Sequence, residues 1–169
     1  VPLCNPFLKL QARHLFIKNN PPMAETLGML CDKLTIVKLK QYHSEDAERL
    51  SSLDKQCSQL QDEIDDYLTN ALAGTIPAEK LTFAANKVFK KEGNETAGVA
   101  SGIGAIFSQL ADVNCKLWHE VERGYDVANI PVTEKDSLIN NLAVLNLQRN
   151  KCIDAIDLEL LTIVKKINQ

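Results

Sequence analysis

No two cysteines in this 169-residue chain stand in C-x-x-C spacing, no stretch approaches the roughly 18 apolar residues of a membrane span, and no basic patch is present. The first absence argues against a zinc knuckle or a dithiol centre. Cys4, Cys31, Cys57, Cys115 and Cys152 are odd in number, and Cys31, Cys57 and Cys152 fall on apolar stripes, so they read as small buried hydrophobes in a reducing compartment. The second absence excludes a transmembrane helix, and the chain reads as cytoplasmic. The third, with a net charge of −3 and a pI near 5.6, leaves no electrostatic case for binding a phosphate backbone, so nucleic acid is not an expected partner. Glycine (7) and proline (6) are also few, while hydrophobic residues reach 45%, which describes one folded domain with a proper core.

What the chain does contain is a repeat. Residues 23–46 align with residues 99–122 at an offset of 76, pairing Ala24/Ala100, Gly28/Gly104, Leu34/Leu110, Val37/Val113, Lys40/Lys116 and His43/His119. Tyr42 meets Trp118 and Asp46 meets Glu122, so the substitutions keep chemical character. Residues 53–72 then align with 145–164 at an offset of 92, including Gln56/Gln148, Asp62/Asp154 and Asp65/Asp157. Two blocks in the same order indicate an internal duplication, with 16 extra residues in the second copy around 124–137. The expected organisation is an N-terminal extension or added segment over 1–22, a first repeat over 23–72, a bridge over 73–96 and a second repeat over 97–169. Residues 1–22 do not resemble a signal peptide, because Lys9, Arg13, His14 and Lys18 interrupt the apolar stretches, and an amphipathic helix is expected within 7–18.

The periodicity is helical throughout. Leu27, Leu30, Leu34, Val37 and Gln41 keep a three-four spacing, and Leu50, Leu53, Cys57, Leu60, Ile64, Tyr67 and Ala71 form a heptad seam. Ser51 with Asp54 is the expected cap between those two helices. Pro77 is expected to open a bridging helix to Lys91, closed by Gly93. The third helix is expected over 97–123, with Gly98, Ala100, Gly102 and Gly104 making a smooth face for close packing rather than a nucleotide-binding loop. Thr133 with Asp136 is expected to cap the last helix, whose stripe is Leu138, Leu142, Leu145, Cys152, Ile156, Leu160 and Ile163. Arg149 interrupts that stripe, so it must find a carboxylate or emerge at an edge.

The expected fold is therefore all-α, a helical bundle of two repeated hairpins related by a pseudo-two-fold axis. A turn near residues 49–50 would set His43 opposite Gln56, and the second copy would repeat the contact with His119 and Gln148; a histidine held by a glutamine at a packed interface is most simply structural. The sharper reading is a divalent metal, since His43-x-x-Asp46 and His119-x-x-Glu122 each put an imidazole and a carboxylate on one helical face, in the reverse order to the Glu-x-x-His of di-iron bundles. Lys40 and Lys116 with Trp118 and Arg149 form a candidate anion site, with Trp118 stacked on Arg149. Glu45-x-x-Glu48 and Asp62-x-x-Asp65 resemble the acidic motifs of all-α nucleoside triphosphate pyrophosphohydrolases, which hold magnesium over a triphosphate, although Asp62 replaces the expected glutamate.

Thr26-Leu27-Gly28-x-Leu30-Cys31-Asp32-Lys33-Leu34-Thr35-Ile36 resembles the T-I-G-x-L-I-D-K-L-T-I pattern of small all-helical bacterial proteins of unknown function. Trp118-His119, Asn146-x-x-Arg149 and Ile156-Asp157 carry the resemblance into the second half. It implies a helical bundle, often encoded near cell-envelope glycan genes, with no assigned reaction. Asp32 becomes Ser108 in the second copy, so any role of Asp32-Lys33 belongs to the first. The leading expectation is a non-enzymatic interaction or scaffolding module without a cofactor, a homo-oligomer associating through the heptad face of Leu53, Leu60 and Tyr67. The alternative is a metal-dependent hydrolase or small-ligand-binding bundle that uses the histidine and acidic pairs.

Overall fold

The computed structural model describes residues 24–83 and 96–168, so the segment 1–22, Cys4 and most of the expected bridging helix lie outside the described residues. Four α-helices follow in order, α1 (Leu27–Tyr42), α2 (Ala47–Leu72), α3 (Ile103–Tyr125) and α4 (Val132–Ile167), and no strand occurs among the described residues. Thr26 caps α1 by accepting the amide of Met29 at 3.4 Å. The chain leaves α1 at His43 and re-enters helix after Asp46, whose carboxylate accepts the Arg49 amide at 2.7 Å. The expected cap at Ser51 is thus displaced by five residues: Asp46 is a competent N-cap, and it leaves Ser51 inside α2. The tight link makes α1 and α2 an antiparallel hairpin, tied at its closed end by Gln41 Nε2 donating to Asp54 Oδ1 at 2.6 Å. The register is therefore four residues tighter than a turn at 49–50 would give.

After α2, Gly74 turns with φ 71° and Ala78–Lys80 forms one 3₁₀ turn rather than the opening of a long helix, before Leu81 drops fully buried into the core. α3 begins at Ile103, later than expected, after Gly102 at φ 86°. A side chain at Gly98, Gly102 or Gly104 would meet nothing within 4 Å, so this glycine run is not a packing face. Pro131, not Thr133, precedes α4, whose 36 residues absorb much of the extra length of the second half. α3 and α4 form a second antiparallel hairpin, and α1 packs into the groove between them.

The heptad seam of α2 faces inward. Leu53, Cys57, Leu60, Tyr67 and Ala71 are buried with Leu27, Leu30 and Val37 of α1, Ile106 and Leu110 of α3, and Cys152, Ile156 and Leu160 of α4. Burial of each large aliphatic side chain contributes roughly 1.5–3 kcal/mol relative to exposure. Leu53, Leu60 and Tyr67 consequently build the core and cannot serve as the association surface expected of them. Cys31, Cys57 and Cys152 are buried free thiols, and burial among Asp157 and Asp32 pushes Cys31 up to about 12. On the α4 stripe, Ile163 emerges and Val164 takes the inward position.

Candidate functional site

The polar residues that break the apolar stripes meet one another. Arg149 reaches from α4 to α1, where Nε donates to Asp32 Oδ1 at 2.7 Å and Nη2 to Asp32 Oδ2, a two-pronged pair. Asp32 is nearly inaccessible, and its hydrogen bonds hold the Arg149 guanidinium protonated more firmly than usual. From α3, the fully buried Asn114 donates through Nδ2 to Asp32 Oδ1 at 2.9 Å and to Thr35 Oγ1 at 2.6 Å. Thr35 in turn donates to the Asp32 carbonyl at 2.7 Å. One carboxylate therefore links three helices. The seam arginine has found its carboxylate, as burial requires. Ser108, the residue aligned with Asp32, is exposed and makes no such pair among the described residues.

One turn earlier, a second lock sits at the start of α1. The Gly28 amide donates to Asp157 Oδ1 at 2.7 Å, and the backbone oxygen of Ile153 lies 2.3 Å from where a Gly28 Cβ would stand. Only glycine lets α1 approach α4 this closely. The Thr26 hydroxyl also hydrogen-bonds the Asp157 carboxyl, but burial outweighs both contacts and, with help from Asp154, pushes Asp157 up to about 6. An unfolded aspartate titrates near 3.8, so the native state holds the proton more tightly across the window between about 4 and 6. This group's contribution to stability is full at the acid end of that window and is lost as pH rises through 6. Asp157→Asn should flatten that slope and raise stability at pH 7.5 by about 2 kcal/mol relative to its own difference from the wild type at pH 4, measured by urea unfolding at both values.

The rings gather at the other end of α1. His43 stacks on Trp118 with centroids 5.1 Å apart and 14° between planes, and the His43 ring meets the edges of Tyr42 at 5.2 Å and His119 at 5.8 Å. Glu122 accepts from Trp118 Nε1 at 2.7 Å and pairs with His119 Nδ1 at 3.1 Å, contacts that hold its carboxyl below the usual range. The structure thus brings together His43, Trp118, His119 and Glu122. It stacks Trp118 on His43, not on Arg149. Gln148 is buried and directs Nε2 to Cys152 Sγ at 4.0 Å, while Gln56 is exposed; no hydrogen bond joins either to a histidine among the described residues.

The metal and hydrolase arrangements find less support. Asp46 is engaged as the α2 cap. Among the described residues no three His, Cys, Asp or Glu side chains form a group able to hold a metal ion. Glu48 and Asp62 lie on one continuous helix, about 21 Å apart along its axis, so the two acidic pairs cannot converge on a shared magnesium. No helix among the described residues is long and apolar enough to cross a membrane.

Lys40, Gln56 and Arg149 do share a location. They line an open groove of about 450 Å³ between α1 and α2, together with Asp32, Lys33 and Gln59, over a floor of Ile36, Val37 and Leu60. Lys116 is exposed on α3, away from this lining. Asn114 and Thr35 were not recognisable as site residues from the sequence, although an asparagine between Val113 and Leu117 on an apolar stripe is a signal of a buried polar partner. Compared with family models, curated proteins and solved structures, the chain matches none at a significant level.

Proposed function

We propose that this chain is a non-enzymatic interaction module, a helical scaffold that self-associates through one face of the α3–α4 hairpin. The observation that carries this reading is the exposure of large apolar residues at that end of the bundle, with Tyr42 85%, Tyr125 87%, Val132 81% and Ile139 66% accessible. Leu117 and Leu138 mark the inward lines of α3 and α4. At about 100° per residue, Val121 and Tyr125 lie about 40° and 80° round from Leu117, and Val132 and Ile139 about 120° and 100° round from Leu138 in the same sense. Antiparallel helices carry equal rotations to the same side, so these four share a face. It is the face against which α1 packs further along, through Asn114, Arg149 and Gly28, and α1 ends at Tyr42, leaving the remainder uncovered. The polar groups of the interior meanwhile are largely bound to one another, which suits a rigid support.

The duplication belongs to the same reading. Two antiparallel hairpins of similar plan, with the paired residues His43 and His119 in ring contact, fit two copies of one ancestral unit about an approximate two-fold axis. Kinship with the small all-helical bacterial proteins is proposed on the same footing: Gly28, Asp32, Arg149 and Asp157 of the resembling motifs are the residues that lock α1 to α4.

Sedimentation velocity over a concentration series tests self-association. Wild type should form a dimer at micromolar concentration, and Tyr125→Ser with Ile139→Ser should weaken it by about 100-fold without loss of helix, as removal of two interface anchors would. A wild type that stays monomeric into the millimolar range defeats the reading.

A further inference from the structure

The groove between α1 and α2 is lined by three cations and three carboxylates, two of each paired: Lys33 Nζ meets Glu25 Oε1 at 2.5 Å, and Arg149 meets Asp32. The third carboxylate, Glu63, accepts from the neutral Gln59 at 2.8 Å and stands about 12 Å along α2 from the level of Lys40, so Lys40 has no carboxylate at its own end of the groove. Lys40 is half-buried and makes no hydrogen bond or ion pair among the described residues. Arg149 spends Nε and one arm on Asp32, which leaves the Nη1 protons unclaimed beside the same space. Gln56, likewise unbonded, adds a neutral donor, since the antiparallel hairpin sets it near the level of Lys40. A half-buried ammonium without a carboxylate favours an anion at its end of the groove, while Arg149, already paired with Asp32, lies about two turns along α1. Below this end the floor is aliphatic, formed by Ile36, Val37 and Leu60. The volume of about 450 Å³ falls within the range of small-molecule sites.

We infer that this groove binds a small organic acid, with its carboxylate against Lys40 and Gln56 and its apolar body along Ile36, Val37 and Leu60 toward Arg149. The site is separate from the exposed hairpin face and does not depend on the association proposed for that face. The sequence already offers Lys40 and Arg149 as anion ligands; the fold leaves Lys116 and Trp118 outside the groove and adds Gln56 and the aliphatic floor.

The test uses the full chain and octanoate, followed by ¹H–¹⁵N correlation spectra, with octylammonium as the charge-reversed control. Octanoate should shift the amides of Ile36, Val37 and Lys40 saturably, and added salt should weaken the effect. Lys40→Gln should weaken binding by about tenfold, the scale of one lost charge contact, while Lys116→Gln, outside the groove, leaves it unchanged. Both variants replace solvent-reachable lysines and retain the core, which circular dichroism verifies. Octylammonium binding as tightly as octanoate, an equal effect of Lys116→Gln, or shifts confined to Tyr125 and Ile139 would each overturn the inference. Absence of any shift at millimolar octanoate would do the same.

Discussion

Gly28→Ala should lower the free energy of unfolding by about 3 kcal/mol, the upper end of what overpacking a core costs. The added Cβ would stand 2.3 Å from a backbone oxygen of Ile153, and a main-chain atom inside a helix cannot swing aside as a flexible side-chain terminus can. Relief requires α1 to withdraw from α4. That movement lengthens the 2.7 Å bond from the Gly28 amide to Asp157, leaving a buried carboxyl short of a donor. The internal control is Gly104→Ala at the aligned position, which has open space around it and lies in the first turn of α3. There the substitution should stabilise by about 0.5 kcal/mol through the lost freedom of the unfolded chain. Urea midpoints for the two variants should move in opposite directions, and parallel shifts would show that α1 and α4 are not in the close contact described.

Arg149→Met should cost about 4 kcal/mol, because it removes the cation and leaves the Asp32 carboxylate buried with only Asn114 as a side-chain donor. The loss should not measure the worth of the ion pair itself. Taking both charges out of water offsets most of their attraction, so Asp32→Leu combined with Arg149→Met should recover more than half of the deficit. Chemical unfolding of the two single variants and the double variant gives the coupling directly. A single-variant loss below about 1 kcal/mol would place the pair with exposed ion pairs, which contribute that little.

The helical class was legible because apolar spacing reports which face is buried, and the α2 seam from Leu53 to Ala71 follows its heptad inward. What periodicity could not report is what covers that seam. The same pattern serves an intramolecular core and an oligomer interface, and here α1, with a smaller part from α4, takes the place that a second copy would occupy. Caps were legible in kind but not in position, since Asp46 and Ser51 are both good N-caps, and the choice depends on where α1 meets His43. Arg149 on an apolar stripe announced a carboxylate partner, yet named none: the match to Asp32 depends on how α1 lies in the α3–α4 groove, a long-range property with no local trace. His43 and Trp118 were each visible as unusual residues, but their contact joins two hairpins and so was not.

That contact has an optical consequence. Trp118 is the sole tryptophan of the chain, and its indole rests on a ring contributed by the other hairpin. Emission from this one fluorophore therefore reports the docking of the first hairpin against the second, and the molecule carries its own label for following how its two halves come together.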